Sequence, residues 1–339
     1  MGLYKRVPLA GAALLVSLLL GAAAPLAPGL HASVVLDRVS PLSSTAEVVR
    51  RTFSPLTAQR MTGGASPAGQ PIQIAQERFL IYVPTHRPPQ GYALLVFVPP
   101  NDDAAVPPGW ASVLDDTGVI FVSAENSGND SKVESRRMPL AVAAAQQLMQ
   151  DYDIPPSRVL AGGFSGGSRV ALRLALSYPD VFRGALLNSD ADPIGTAAIP
   201  LPPADLFHRF QENSRLYYIM GDLDTAGRSM QAASEASLQR WCVFDVHAAA
   251  MPHAGHTTAG ESTLSLALDT LLDPMPARRE GLDACRAGLQ NEMAAGAQRV
   301  ESLIAAGDKA AARQALSDFD AKFGGLAADQ SLALEKKLR

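Results

Sequence analysis

The sequence is poor in charged residues and has no cluster of lysines and arginines. Only 18% of its 339 residues are charged, whereas 47% are apolar. This balance is typical of a globular protein with a well-buried core rather than of a disordered chain. The formal net charge is −4. Because the sequence has no basic cluster, we expect no nucleic-acid partner and no attraction to an acidic membrane surface.

The motifs that bind nucleotide phosphates are also missing. The dinucleotide motif GxGxxG would require glycine at Phe164 or Ser165, and the phosphate-loop motif GxxxxGK does not occur. Histidine is scarce: His253 and His256 lie close together, but no carboxylates or cysteines accompany them at the spacing of metal ligands. We therefore expect no metal and no cofactor.

The first segment of the chain differs from the rest in composition. Lys5 and Arg6 precede an uncharged run over residues 8–20, and small residues and prolines follow out to Ala32. This order is typical of a secretory signal peptide, which we assign to residues 1–32 with cleavage after Ala32. A transmembrane anchor is the alternative, although the apolar run is short for one. Cleavage would remove two of the 29 basic residues and none of the 33 acidic ones, leaving a net charge of 27 − 33 = −6.

Cysteine is limited to Cys242 and Cys285. An exported chain folds in an oxidising compartment, where cysteines form disulfides. A disulfide between these two would stabilise the fold by roughly 4 kcal/mol if it acts through chain entropy; two buried thiols are the alternative. No cysteine lies near the signal peptide, which argues against a lipoprotein, so we expect a periplasmic or secreted protein with no stable membrane anchor.

Strands and helices alternate through the middle of the sequence, and we assign residues 77–275 to one α/β domain. Apolar runs that stop at prolines or glycines predict strands, and apolar residues at helical spacing predict the helices between them. Because the strands are apolar on both faces, they indicate a mostly parallel sheet covered by helices on each side. The predicted strands are residues 78–83, 92–98, 118–124, 159–161, 185–188, 215–220 and 242–247, and the predicted helices are 137–152, 170–178, 204–213 and 226–241.

The flanking segments carry weaker or different patterns. Residues 33–76 have little periodicity, and we predict a surface arm or loop; the loop around Trp110 is predicted to be poor in helix. Residues 276–339 repeat apolar positions at steps near 3.6, which predicts a helical hairpin with a possible third helix. Since a hairpin cannot bury itself, we expect it to pack against the α/β domain. A module for an unknown partner is the alternative.

The segment Gly163–Gly167 matches the motif GxSxG, with Ser165 at its centre. A nucleophilic serine requires a strained turn between a strand and a helix, and glycines let the two approach closely. An apolar strand precedes the motif and an amphipathic helix follows it, which favours a nucleophile over a structural glycine turn. The positive end of that helix would direct the Gly166 N–H toward a developing oxyanion.

A nucleophilic serine also requires a base and a carboxylate that orients the base. In a parallel sheet these residues lie on the loops at the carboxyl ends of the strands. Three pairs of candidates occupy such loops, and the chain order of serine, aspartate and histidine suits this chemistry. The carboxylate candidates are Asp222 and Asp224, with Asp190 and Asp192 as a further possibility, and the base candidates are His253 and His256.

With these motifs in this order, residues 77–273 resemble the α/β-hydrolase superfamily, and within it the secreted polyhydroxybutyrate depolymerase and feruloyl esterase-like serine esterases. The resemblance rests on the serine turn, the GxxD motif at Gly221–Asp224 and the pair Gly255–His256. It implies the α/β-hydrolase fold. It also implies Asp224 as the acid rather than its neighbour, and His256 as the base rather than His253.

The loop after the second strand of the domain departs from that family's pattern. Many relatives carry His-Gly there for the second oxyanion N–H, whereas this chain has Pro99 and Pro100. Proline has no N–H, so the second donor must be Asn101 or Asp102. The candidates for lining the substrate are Phe164, Trp110 and Asn126, although a plain turn is the alternative for Asn126.

These observations together predict an exported serine esterase that acts on a small-molecule or polymeric ester. A serine peptidase of the same fold is one alternative: the pair Gly166-Gly167 also occurs in prolyl-oligopeptidase-like enzymes, but this chain lacks a propeller domain. A non-catalytic protein that keeps the hydrolase fold and binds a partner through its C-terminal helices is the other.

Overall fold

The computed structural model describes residues 25–63, 72–275 and 280–339. Within these ranges the strands form one eight-stranded sheet. The strands are β1 (Gly29–Val34), β2 (Phe79–Val83), β3 (Ala93–Val98), β4 (Val119–Ala124), β5 (Val159–Phe164), β6 (Gly184–Asn188), β7 (Arg215–Gly221) and β8 (Val246–Met251). Their order is β1-β2-β4-β3-β5-β6-β7-β8, with β1 and β2 antiparallel to their neighbours and the remaining pairs parallel.

Helices cover both faces of this sheet. The α-helices are α1 (Thr45–Thr52), α2 (Pro55–Thr62), α3 (Trp110–Thr117), α4 (Met138–Asp151), α5 (Gly166–Ser177), α6 (Ala204–Asn213), α7 (Thr225–Arg240), α8 (Glu261–Leu272), α9 (Leu282–Ala305), α10 (Lys309–Phe323) and α11 (Ala328–Leu338). A π-helical turn at Val133–Arg137 leads into α4. The predicted α/β-hydrolase fold, with a mostly parallel sheet and a helical C-terminal extension, is confirmed.

The two faces of the sheet bury separate hydrophobic clusters. All six residues of β3 are buried. Leu94 and Val96 point into the larger cluster, which includes α4 and α5, whereas Leu95 and Phe97 point into the smaller cluster, which includes α3 and α8. Burial on both faces explains why the central strands read as continuous apolar runs rather than as an alternating pattern.

The last strand lies four residues later than predicted. The apolar run at 242–247 suggested a strand, but Cys242 adopts a left-handed φ of 62° and its N–H bonds to the carbonyl of Gln239. The chain therefore turns there, with Cys242 and Val243 buried in the larger cluster, and pairing with β7 begins only at Val246.

The segment around Trp110 is helical rather than poor in helix. Helix α3 begins at Trp110 and ends before Gly118, and glycines with φ of 80° and 65° bound it at each end. Its eight residues follow two prolines. Such a short helix gives little periodic signal, and the flanking prolines and glycines indicate a loop.

The N-terminal arm also contains regular structure that the sequence did not predict. Helix α1 begins after Ser44 and α2 after Ser54, and each serine hydroxyl accepts a hydrogen bond from the backbone N–H three residues later. Arg51 of α1 bonds to Asp180 at 2.7 Å. Part of the serine and threonine content that suggested a loop thus serves as helix N-caps.

Residues 25–34 pack against the domain, although the predicted signal peptide extends through Ala32. Strand β1 pairs with β2 from Gly29 onward, and the Tyr152 hydroxyl donates to the carbonyl of Leu26 at 3.3 Å. Cleavage after Ala32 would therefore cut through β1. Residues 1–24 of the predicted signal peptide lie outside the described residues, and export stays a prediction. Within the described ranges no helix has the length and apolar character to cross a bilayer.

We expect a chain that begins at Ser33 to be less stable than one that begins at Pro25. The shorter chain loses most of the pairing between β1 and β2 and the contacts of Leu26 with the core. At about 1 kcal/mol for each net hydrogen bond, the free energy of unfolding should fall by about 2–4 kcal/mol. Urea unfolding of the two chains measures this difference. Equal midpoints and slopes would show that β1 contributes nothing to stability.

The C-terminal helices pack against both the α/β domain and the N-terminal arm. A disulfide joins Cys242, just after α7, to Cys285 in α9, with Cα atoms 5.8 Å apart. The buried Asp320 of α10 accepts a hydrogen bond from the Ser54 hydroxyl at 2.9 Å. These contacts fasten the extension to the rest of the molecule at two separate places. Over residues 280–339 it forms three α-helices, where a hairpin with a possible third helix was predicted.

Candidate active site

Ser165 lies in a sharp turn between β5 and α5. Its φ of 53° and ψ of −127° fall in a region that non-glycine residues rarely occupy. The close approach of strand and helix requires glycine on both sides: a Cβ on Gly163 would lie 2.3 Å from the carbonyl carbon of Gly167, and one on Gly167 would lie 1.9 Å from the carbonyl oxygen of Val98. The turn thus holds the Ser165 hydroxyl clear of the backbone, at the amino end of α5.

Asp224 and His256 meet on the loops after β7 and β8. His256 Nδ1 donates to Asp224 Oδ2 at 2.7 Å, and the Gly227 N–H donates to the other carboxylate oxygen at 2.9 Å, making Asp224 the N-cap of α7. Burial alone would raise the pKa of Asp224, but the hydrogen bonds from Gly227 and His256 outweigh it and hold the pKa below its usual value. The carboxylate is therefore ionised at neutral pH and suited to orient an imidazole.

Asn188, at the end of β6, connects the serine turn to the histidine loop. Its carbonyl accepts the Ser165 N–H at 2.9 Å. Its buried side chain donates to the Thr257 carbonyl at 3.1 Å and accepts the Ala259 N–H at 2.7 Å. Asn188 thereby fixes the residues after His256 relative to the nucleophile turn. Asn188 was not among the predicted site residues, although its place at the carboxyl end of a predicted strand was a signal.

The imidazole of His256 lies beside the nucleophile turn. Its ring centroid is 5.0 Å from that of Phe164, the residue before Ser165, and its side chain is 44% exposed, so it is open to a substrate. Among the described residues, no hydrogen bond joins the Ser165 hydroxyl to this ring.

Among the described residues, none of the other acid candidates forms a hydrogen bond with His256. Asp192 pairs with Arg169 and Arg173. Asp222 has a buried carboxylate oxygen without a hydrogen-bond partner in the described part of the chain, and His253 lies in the turn after β8 with a φ of 57°. The remaining candidate, Asp190, lies close enough for the His256 charge to act on its carboxyl, and burial raises the pKa of that carboxyl. The carboxylate that bonds to His256 is that of Asp224.

Hydrogen bonds to oxygen atoms of the loop after β3 hold that loop in place. The Pro100 carbonyl accepts the Asn129 N–H at 2.9 Å, and the Asp102 carbonyl accepts the Asn126 N–H at 2.7 Å. The Asp102 carboxylate also accepts the Gly128 N–H at 2.9 Å. In the described residues the N–H groups of Asn101 and Asp102 have no partner, so both remain open to an added acceptor.

Two of the three predicted substrate-lining residues are at least partly exposed. Phe164 is half-buried beside His256, and Asn126 is exposed in the turn after β4. The prediction for Trp110 is wrong: it is 0% exposed, and its indole N–H donates to the Ala259 carbonyl at 2.8 Å. Trp110 is buried because it begins a helix that faces the core. Its hydrogen bond to Ala259 supports the histidine loop from within the core.

Asn129 lies nearer to the nucleophile turn than the sequence suggested. A Cβ on Gly166 would lie 2.2 Å from the side-chain oxygen of Asn129, so the carboxamide packs directly on the residue that follows Ser165. In the described part of the chain, no group of three or more histidine, cysteine or acidic side chains is placed to hold a metal ion.

No family model matches the sequence, and no curated protein matches it either. Solved structures to which it is similar include a putative dipeptidyl aminopeptidase IV from Bacteroides ovatus (15% identity, TM-score 0.43, 60% of this chain and 35% of that chain). Another is a ferulic acid esterase (12% identity, TM-score 0.42, 58% of this chain and 90% of that chain). A third is an S-formylglutathione hydrolase from Staphylococcus aureus (11% identity, TM-score 0.46, 61% of this chain and 96% of that chain). The chain spans 35% of the length of the first of these.

Proposed function

We propose that this protein is an exported serine hydrolase that cleaves carboxylic esters. The observation that carries the proposal is the strained Ser165 turn at the amino end of α5, beside a histidine bonded to a buried carboxylate at 2.7 Å. Loops at the carboxyl ends of three parallel strands contribute these residues, which is where α/β sheets place their sites. The disulfide supports export, because disulfides persist in oxidising compartments.

In the proposed reaction the Ser165 oxygen attacks the ester carbonyl carbon, and its proton passes to Nε2 of His256. Asp224 accepts a hydrogen bond from the Nδ1–H throughout, which keeps Nε2 free to take a proton and stabilises the imidazolium. The tetrahedral intermediate expels the alcohol, which leaves with the proton from His256, and the acyl group stays on Ser165. A water molecule then attacks the acyl carbon and gives a proton to His256. The bond to Ser165 breaks, the serine oxygen regains the proton, and the acid is released. Catalytic hydrogen bonds often form only when substrate binds. We expect the bond between Ser165 and His256 to form in this way.

The oxyanion would be stabilised by N–H groups from two segments. The Gly166 N–H lies at the positive end of α5. Asn101 or Asp102 supplies the second, because the two preceding residues are prolines and the N–H groups of these two are unpaired in the described chain. Both donors belong to backbone that is already fixed, so they need no rearrangement as charge develops. The chemistry needs no cofactor.

A comparison of chromogenic substrates tests the proposal and separates it from peptidase activity. Short-chain nitrophenyl esters should be hydrolysed at rates at least about 100-fold above those of peptide anilides, because nitrophenolate leaves without the protonation that an anilide nitrogen requires. The same assay on a small panel of acyl lengths reports the size of the acyl group accepted. Faster hydrolysis of the anilides would indicate a peptidase rather than an esterase.

A further inference from the structure

A buried arginine lies behind the proposed oxyanion site. Arg137 ends the π-helical turn before α4 and is 3% exposed. Burial and the nearby cation Arg173 lower the pKa of Arg137 to about 10, so it remains protonated at neutral pH. A buried charge is costly unless it is well hydrogen-bonded, and the guanidinium finds its partners on the main chain rather than on a carboxylate.

The three carbonyls that Arg137 contacts belong to three different segments around the site. Nη2 donates to the Pro99 carbonyl at 2.8 Å, and Nε donates to the Ser127 carbonyl at 2.9 Å. Nη1 makes a longer contact with the Gly166 carbonyl at 3.5 Å. Pro99 begins the loop with the candidate second donor, Ser127 begins the turn that carries Asn129, and Gly166 carries the first donor.

A guanidinium suits this position because its donors form a rigid plane. One such plane contacting three carbonyls sets the distances between their segments, whereas a flexible ammonium would not. Pro99 and Pro100 cannot fasten their loop with N–H groups of their own, so the loop depends on donors from elsewhere. The π-helical turn places the guanidinium among these carbonyls, and such turns occur often at functional sites.

We infer that Arg137 is a positioning residue of the oxyanion site. It holds the loop after β3 and the first turn of α5 at the spacing that lets the Gly166 N–H and the N–H of Asn101 or Asp102 bind one oxygen. It does not touch the substrate itself. This inference rests on the proposed esterase function and adds to it the residue that sets the geometry of the oxyanion site.

Arg183 offers a matched control. Within the described ranges its guanidinium also donates to main-chain carbonyls, those of Leu271, Ser157 and Asp273. It lies just before β6, at the amino end of the strand, whereas the site lies at the carboxyl ends. Five residues of extended chain separate it from that edge by roughly 17 Å. Substitution at this position perturbs a similar carbonyl cluster without reaching the site.

The test compares Arg137→Lys with Arg183→Lys in ester hydrolysis and in inhibition by a trifluoromethyl ketone, which adds to a serine and leaves an oxyanion. Arg137→Lys should lower kcat on the order of 100-fold, as the loss of an oxyanion donor does, with KM changed less than about threefold. The inhibition constant of the ketone should rise by a similar factor. Arg183→Lys should leave both values within about twofold, whatever it does to thermal stability. Unchanged kcat in a folded Arg137→Lys protein, or a loss of kcat without weaker ketone binding, would overturn the inference.

A second variant covers the case in which Arg137→Lys does not fold. Arg137→Ala should be rescued by added methylguanidinium, with kcat rising and KM unchanged. Rescue of thermal stability alone, or failure of both variants to fold, would assign Arg137 to stability only. Failure of the proposed function is distinguishable, because the wild-type protein would then neither hydrolyse esters nor bind the ketone.

Discussion

Ser165→Ala should abolish ester hydrolysis, with kcat falling by at least about 10⁴-fold. The substitution removes the atom that forms the acyl bond. The other hydroxyl in the first turn of α5, that of Ser168, is buried and donates to the Asp190 carbonyl. The same variant should lose all labelling by a fluorophosphonate, which reacts covalently with activated serines. Enzyme assays and gel detection of the label measure the two effects separately.

Ser177→Ala is the matched control for this experiment. Ser177 lies at the opposite end of the same helix, where its hydroxyl is within 3.4 Å of that of Thr52. Its loss should lower stability by about 1 kcal/mol and leave labelling intact. If the wild-type protein takes up no label, or if Ser165→Ala is still labelled, the nucleophile assignment fails. The first of these outcomes favours a non-catalytic binding protein.

Asp224→Asn should lower kcat by about 10⁴-fold with little loss of stability. Because the Gly227 N–H holds the amide oxygen, the NH₂ group faces His256 Nδ1. This favours the tautomer with the proton on Nε2 and leaves no base for Ser165. Stability should survive because Asp224 is the N-cap of α7, and asparagine caps helices as well as aspartate does. Kinetics and thermal unfolding of the same sample separate the two effects.

Asp222→Asn provides the comparison on the same loop. Its carboxylate has a buried oxygen without a partner in the described chain, so a neutral side chain of the same shape removes no hydrogen bond from that oxygen. We expect kcat within about threefold of the wild-type value, as for substitutions that do not touch the reacting groups. Equal losses in the two variants would contradict the choice of acid.

The sheet could be predicted from the sequence because its strands carry a strong local signal. Continuous apolar runs such as 92–98 and 118–124 are stopped by prolines and glycines, and they became β3 and β4. The serine turn was equally readable, since its geometry demands glycine at positions 163 and 167. Both depend on neighbours in the chain, which a sequence displays directly.

What the sequence did not show depends on contacts between distant residues. The start of β8 is set by its pairing with β7 and by the left-handed turn at Cys242, not by hydrophobicity. The helices of the N-terminal arm gain their burial from partners more than a hundred residues away, such as Asp180 for Arg51. The side chains of Asn188 and Arg137 bond to main-chain carbonyls of other segments. Every residue has a carbonyl, so no sequence motif predicts which one is contacted.

The bond between Ser54 and Asp320 also governs the order of events during biosynthesis. The two residues are 266 positions apart, so at a ribosomal rate of roughly 5–20 residues per second the arm waits on the order of tens of seconds for its partner. The N-terminal arm therefore reaches its final packing only after Asp320 has been synthesised.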